Sequence, residues 1–532
     1  MAPLGLTRRD VLAAFLGAPF AAACARRPPP RVPGEVVGAS DRFGHLLRDE
    51  PPPRPTAWGR ERVVIVGGGV AGLAAAWRLL RAGFDEFRLY ELEGAPGGTA
   101  RSGDDYPWGA HYVPAPTRDN PALLALLHEM GVLDGVDADG EPVVAEQHLV
   151  RDPEERVYYR GRWYEGLYLH AGASAEDERQ LAAFLAEIQR WVDFRDGRGR
   201  RAFTIPIARA SDDADVVALD RETFRDWAGR HGFTSPRLLW LLDYACRDDY
   251  GATAGETSAW AGVFYFASRA TQRAADTRPL MTWPRGNGHL VAYLWSKVAH
   301  ARLRTLAWEV APGDDGIEVA CYGRRSVDDS ARPFGIRAER VIFAAPQFVA
   351  RRAVRGLPDD RAGFEYGAWM VANLHLRDRP AAGRGFPPCW DNVLYDSPSL
   401  GYVVATHQRG PEYGPTTLTY YYPLVGDGAR KRLLAAGQPE WADVALADLG
   451  RAHRDIADLV DRVDVMRWGH AMVRPRPGFV WGARARGAPF RGVHFACSDL
   501  SGVALFEEAF DHGVRAAEEV LAALGRPAES LR

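Results

Sequence analysis

Glu61-Arg62-Val63-Val64-Ile65-Val66-Gly67-Gly68-Gly69-Val70-Ala71-Gly72 is a β-branched apolar run that breaks into glycines. The run reads as a strand buried on both faces. Leu73 to Arg81 are helix formers, stopped by Gly83. A second strand, Phe87-Arg88-Leu89-Tyr90, ends at Glu91. Strand, glycine turn, helix, strand and acid in this order describe a dinucleotide-binding crossover. Gly67 permits the tight turn, Gly69 lets a pyrophosphate approach the backbone, and Gly72 lets helix and strand pack closely. Val70 and Ala71 open the helix, whose unpaired N–H groups and positive dipole end face the phosphates. Glu91 is placed to accept hydrogen bonds from a ribose diol, which argues against a 2′-phosphate.

Which dinucleotide is decided further along. Glu93-Gly94-Ala95-Pro96-Gly97-Gly98-Thr99-Ala100-Arg101-Ser102 resembles the second glycine motif of the flavin-containing amine oxidase and carotenoid-desaturase superfamily. The resemblance implies that Gly97 and Gly98 lie along the pyrophosphate of FAD, with an arginine to follow. Thr99 stands where that arginine is usual, and Arg101 takes its role two residues later. Trp108-Gly109-Ala110-His111-Tyr112 falls where the family chain returns toward the isoalloxazine, which makes His111 a candidate flavin neighbour. A buried structural histidine is the alternative for that position.

The resemblance reappears in distant stretches. Trp283-Pro284-Arg285-Gly286-Asn287-Gly288 is similar to the family's proline–glycine turn, where the chain re-enters the FAD domain. Leu303 to Val310 and Ile317 to Val319 read as strands joined by an acidic turn, and Ala307 is the nearest match to the backbone that holds the adenine. Val341-Ile342-Phe343-Ala344-Ala345-Pro346 resembles the next strand against the cofactor. Val493-His494-Phe495-Ala496-Cys497-Ser498-Asp499 then precedes apolar residues at helical period from Leu505 to Leu524. In the family an acid here meets the ribityl chain, and Asp499 supplies it one residue late. The first-turn amides of the closing helix, at Phe506 and Glu507, would face the flavin N1–C2=O edge. Glu508 and His512 replace a Gly and a Ser of the family pattern. Upstream, Arg467-Trp468-Gly469-His470 matches the family's aromatic wall, with Trp468 as that wall or as a core residue.

The chain has 532 residues, and 66 Lys+Arg against 69 Asp+Glu leave a net charge of −3, which excludes a protein that coats nucleic acid. Lysine occurs only at 297 and 431, so a lysine-dependent mechanism has two candidates. Five scattered cysteines without a CxxC pair make neither a disulfide framework nor a zinc site, and no metal is expected. Thr7-Arg8-Arg9 precedes a short apolar run ending Ala21-Ala22-Ala23-Cys24. This resembles a twin-arginine export signal with a lipoprotein-type cleavage box over residues 1–24. It implies export machinery as a partner, a lipid anchor at Cys24, and a periplasmic or membrane-anchored location. Eight prolines between Pro28 and Pro55 then make a stiff tether, 25–59.

The expected fold is α/β. A Rossmann-like FAD domain is assembled from 60–113, 280–346 and 462–526. A second, α+β substrate domain comes from 114–279 and 347–461. Within the latter, Tyr244, Asp248, Asp249, Tyr250, Glu256 and Trp260 form a polar–aromatic stretch suited to line a pocket. The resemblance implies an FAD-dependent oxidoreductase taking a hydride from a small molecule, an amine or a carbon skeleton, with oxygen or another electron acceptor. His111, Trp468 and His470 are the catalytic candidates. The alternatives are an NAD-dependent dehydrogenase, or a flavin-binding protein with an isomerase or non-redox role.

Overall fold

A computed structural model of the chain describes residues 32–324, 330–359 and 363–532. The stretch read as an export signal, with Cys24, lies outside the described residues. Along the chain, the elements that build the site begin with β1 (Val36–Gly38), β2 (Trp58–Val66), α1 (Val70–Arg81), β3 (Phe87–Tyr90) and β4 (Glu155–Tyr159). They continue with α2 (Pro236–Tyr250), β5 (Arg332–Phe343), β6 (Tyr366–Leu376), β7 (Asp391–Leu394) and β8 (Thr416–Leu424). The last are α3 (Gln438–Leu449), β9 (Val460–Val473) and α4 (Phe506–Ala523).

In the first sheet β2 lies between β3 and β5, parallel to both, and Val493–Phe495 extends it beside β5. Val63, Val64 and Ile65 are fully buried, as a strand covered on both faces requires. Helix α1 lies on one face and is itself covered by α4, so the two cofactor-directed segments, more than 400 residues apart in the chain, pack against each other. Gly513 is where they touch: a Cβ there would stand 2.2 Å from the Ala71 carbonyl oxygen. The closing helix therefore depends on glycine at that crossing.

The second sheet has eight strands, ordered β1, β9, β6, β8, Gly401–Val404, β7, β4 and Arg162–Glu165. Alternation divides its faces. One face buries Met370, Leu374, Tyr420 and Val465 against Trp441 of α3. The other carries Trp369, Val371, Tyr421, Val393 and Met466, opposite Trp108 and Tyr244.

Two segments depart from the expected boundaries. β9 was expected within the FAD domain. It instead pairs antiparallel with β6 over most of its length, because Val463 and Val465 belong to that sheet's core. Part of the expected tether is also folded. β1 adds parallel to the β9 edge, the Ser40 amide donates to Glu93 at 2.8 Å, and Phe43 and Leu46 pack beside Leu306 and Trp308. Cys246, Cys321, Cys389 and Cys497 are free and buried. Among the described residues no helix is long and apolar enough to cross a membrane, and no group of side chains is arranged for a metal ion.

Candidate active site

The two glycine motifs meet edge to edge. The Gly97 amide donates to the Gly68 carbonyl at 2.8 Å, and Gly69 bridges to Gly97. A Cβ on Gly72 would stand 1.9 Å from the Gly67 carbonyl, so the turn closes only with glycine there. A Cβ on Gly69 would find nothing nearer than the Gly98 backbone at 3.9 Å, so a gap lies between the loops. No side chain caps α1, whose first turn at Val70 and Ala71 leaves its amides directed at that gap.

Glu91 is buried at the tip of β3, and its carboxylate accepts from the amides of Gly68 at 2.5 Å and Glu93 at 2.7 Å. Burial raises its pKa, while the two amide bonds hold it down. Ala307 lies in the same apolar cluster as Val66 and Tyr90, and the Thr305 amide donates to the Glu91 carbonyl at 2.8 Å. These contacts put the expected adenine and ribose groups side by side.

Arg101 is buried. Its Nη2 lies 3.3 Å from the Met466 sulfur, Glu93 is 3.6 Å away, and the guanidinium sits 5.3 Å from the Trp468 ring centre. Glu93 pairs with it at 3.6 Å, and the five donors of a guanidinium leave capacity for a second anion. Thr99 is exposed, which leaves Arg101 as the arginine of this motif. Trp468 lies on the β9 face that looks toward Trp108, and its indole donates to the Trp108 carbonyl at 2.6 Å.

Asp499 is buried, accepting from the Gln347 amide at 2.9 Å and the Tyr366 hydroxyl at 2.5 Å. Sequence reading missed Tyr366, whose partner lies 133 positions away. At the start of α4 the N-cap residue Leu505 offers no side-chain cap, which leaves the Phe506 amide open to a ligand, while the Glu507 amide is met by its own carboxyl. Their side chains point elsewhere: Phe506 packs with Phe510 in the core, and Glu507 borders a surface indentation near Pro114. Glu508 accepts from the Ile207 amide at 2.7 Å and from Ser501, which also bonds His512. The two departures from the family pattern are thus absorbed by one internal network.

Past the glycines, the strand Tyr112–Pro114 carries the chain along the aromatic face of the second sheet. His111 stacks on Tyr421 at 4.8 Å and faces Trp390 at 5.3 Å. Burial lowers its pKa to about 4, so the ring is neutral at physiological pH. His470 lies elsewhere. It stacks on Phe348 at 4.1 Å beside Tyr366, in a separate cluster, with burial and the arginines 430, 352 and 48 lowering its pKa to about 4. The structure does not bring the two histidines together.

Three acids gather near His111. Glu155 of β4 and Asp391 of β7 are partners in parallel register, so their side chains share a face, and Asp248 approaches from α2. Burial raises the Glu155 carboxyl to about 8, aided by Glu154 and Asp248, and lifts Asp391 far above its usual range, aided by Glu155 and Asp248. Asp248 is raised by burial and by its neighbour Asp249. Asp249 is satisfied by Arg269 at 2.9 and 2.7 Å. Glu155 and Asp391 form no ion pair among the described residues. His111, Tyr112, Asp248, Tyr265 and Asp391 keep part of their surface uncovered while enclosed by sheet and helices, so they line a chamber. Of the predicted polar–aromatic stretch, Tyr244 and Asp248 join this wall. Tyr250 and Trp260 are core, and Glu256 caps Thr253.

Comparison with known proteins agrees. The profile of flavin-containing amine oxidoreductases matches residues 70–521. The chain belongs to that family. Its cofactor is FAD, and the uncapped amides, the open glycine gap and the buried Arg101 fit it. The human peroxisomal N(1)-acetyl-spermine/spermidine oxidase is 38% identical over 93 residues, which are 16% of this chain and 18% of that enzyme. The chain thus aligns with under a fifth of the length of its curated relative. Among solved structures, putrescine oxidase bound to putrescine superposes with a TM-score of 0.64 at 18% identity, covering 87% of this chain and 100% of the other. Cyclohexylamine oxidase from Brevibacterium oxydans IH-35A does so at 0.61 and 16%, covering 88% and 100%. At these identities the likeness establishes the fold alone, mixed α/β with a Rossmann-like parallel sheet.

Family enzymes acting on amines commonly keep a lysine near the flavin. Here Lys297 lies on the surface, 3.6 Å from Glu129, and Lys431 is exposed on the helix Ala429–Ala435. Neither reaches the chamber.

Proposed function

We propose that the protein is an FAD-dependent oxidase of amines, with dioxygen as electron acceptor. One observation carries the substrate class: Glu155 and Asp391, which form no ion pair among the described residues, gather beside Asp248 in a chamber walled by Tyr112, Tyr265, Trp390 and Tyr421. Buried acids among aromatic faces select an ammonium group, by charge and by cation–π attraction. When bound, FAD supplies the two-electron acceptor for the substrate C–H bond.

The chain's own residues do the rest. Gly67 to Ala71, Gly97, Gly98 and Arg101 would hold the pyrophosphate, Glu91 the ribose, and the first-turn amides of α4 the flavin ring. Glu155 and Asp391 face the ammonium, whose charge favours their ionised form, and Glu155, raised to about 8, takes the amine proton once ionised, so the step gains as pH rises toward 8. A neutral amine is then left for oxidation. His111, too weak a base at about 4, donates a ring N–H to the Gly109 carbonyl and forms an apolar wall. The tyrosines and Trp390 keep water out.

The test is anaerobic addition of primary mono- and diamines to the purified yellow protein. Loss of the oxidised-flavin absorbance is expected with at least one of them. Retention of full absorbance with every amine, alongside bleaching by dithionite, would refute the assignment.

The twin-arginine motif, the cleavage box at Cys24 and the prolines that follow support export as a folded, FAD-loaded protein held to a membrane by lipid. Radiolabelled palmitate incorporation, lost in Cys24→Ser, tests the anchor.

A further inference from the structure

The arm ahead of β2, read from the sequence as a stiff tether, is tied to the second glycine motif. It precedes the residues that the family profile matches. At one end the Val463 and Val465 amides of β9 donate to the carbonyls of Pro33 and Glu35 at 2.8 and 2.9 Å. At the other, Phe43, Leu46 and Leu47 pack with Leu92, Leu306 and Trp308. With both ends held, Gly38 and Ser40 between them are fixed beside Arg101 and Glu93.

Two contacts form there. A Cβ on Gly38 would stand 2.4 Å from Arg101 Nη2 and 3.2 Å from the Met466 sulfur, so the bare backbone lies against the guanidinium. The Ser40 amide donates to Glu93 Oε1 at 2.8 Å, and the Glu93 amide donates to Glu91 at 2.7 Å. Anchored in this way, Glu93 presents Oε2 to Arg101 Nη1 at 3.6 Å, an ion pair too long for a hydrogen bond.

That length has a consequence for the cofactor. A free carboxylate closes on an arginine to about 2.7–2.9 Å and takes two of its donors at once. Here both side chains are largely covered, at 10% and 20% exposure, so water screens the attraction only weakly. A closed pair would cancel the charge of Arg101 and occupy the donors that suit a phosphate oxygen. We propose that the Ser40 amide holds Glu93 off Arg101 and so keeps that guanidinium for the FAD pyrophosphate. Ser40 and Gly38 are then positioning residues for the cofactor, acting through Glu93 and Arg101. This rests on the pyrophosphate lying at Arg101, and not on the substrate.

Fluorescence titration of the full-length apoprotein with FAD tests it. Ser40 has a φ of −76°, which proline also adopts, so Ser40→Pro removes the donor without demanding a new φ there. FAD binding should weaken about tenfold or more. Ser40→Ala keeps the amide and should bind FAD as the parent does. Glu93→Gln removes the competing charge and should bind FAD at least as tightly as the parent. In that background Ser40→Pro should cost less than twofold, whereas an arm with a merely structural role would cost the same with either residue at 93. Gly38→Ala presses on Arg101 directly and covers the case in which Ser40→Pro does not fold. Its loss should be several-fold and should vanish once Arg101 is alanine. Parent affinity in Arg101→Ala would contradict the pyrophosphate placement and the proposal together. Weakened binding in Arg101→Ala, with Ser40→Pro and Gly38→Ala unchanged or with a Ser40→Pro loss that persists beside Glu93→Gln, would overturn the proposal alone.

Discussion

Replacing Gly513 by alanine perturbs the point where the closing helix crosses the first one. The added Cβ would sit 2.2 Å from the Ala71 carbonyl oxygen and 2.8 Å from the Ala74 methyl. Ordinary contact needs about 3.5 Å, so α1 and α4 must part by roughly 1.3 Å. Overpacking of this kind costs about 1–3 kcal/mol. Alanine's better helix propensity returns up to about 1 kcal/mol. With the clash falling on a backbone oxygen the upper end applies, and the net expectation is a loss of about 2 kcal/mol in stability. FAD affinity should fall with it, because the displaced first turn of α1 carries the pyrophosphate amides. Gly229→Ala is the control. Gly229 lies in the helix Phe224–Arg230 and is exposed, with nothing within 4 Å of the new Cβ, so the same chemical change should stabilise by up to about 1 kcal/mol. Thermal melts and fluorescence titration of apoprotein with FAD read both effects. A G513A protein that melts no lower and binds FAD as tightly as the parent would refute the reasoning about this crossing.

Other expectations follow from the same geometry. Glu91→Ala removes the acceptor for two backbone amides, at 2.5 and 2.7 Å, and should weaken FAD binding about tenfold or more, read by the same titration. Glu155→Gln tests the buried acids through pH. The folded pKa, about 8, lies above the ordinary 4.5, so the parent is fully stabilised below about 4.5 and loses that contribution as pH rises through 8. The variant should therefore melt higher than the parent at pH 9 and not at pH 4, and its kcat/KM for amines should lose the rise the parent shows toward pH 8. Lys297→Met and Lys431→Met should leave turnover unchanged, as neither lysine reaches the chamber; a large loss in either would require a different site. His111→Phe, which keeps the stack on Tyr421, should retain the melting temperature and bound flavin while shifting the flavin absorbance spectrum.

Much of the FAD half is legible locally. Val63 to Val66, the first glycines and Glu91 lie within 29 residues, and each is specified by its own backbone geometry or short-range packing. The chamber is not. Glu155 and Asp391 become neighbours only through a parallel pairing between strands 236 residues apart, which no local pattern encodes. Neither acid stands in a motif. A charged residue inside a strand of Val and Tyr is the only trace, and it reads equally well as a solvent face. β9 was misplaced for a related reason. Trp468 resembles an FAD-domain residue and does face that domain, but the strand bearing it hydrogen-bonds to β6. Folding of residues 36–47 onto the body was hidden by prolines on either side, and what docks it is a long-range bond from Ser40 to Glu93. His111 was marked out by its place after the second glycine motif. Its lowered pKa was not, since it depends on Trp390 and Tyr421 from remote strands.

The central claim is that the first crossover and the closing helix enclose one FAD, and its most direct test is the cofactor content of the purified protein. Denaturation should release FAD, identified by chromatography and absorbance, at one equivalent per chain. A colourless protein that takes up no FAD on titration, or that binds NAD in its place, would contradict the account.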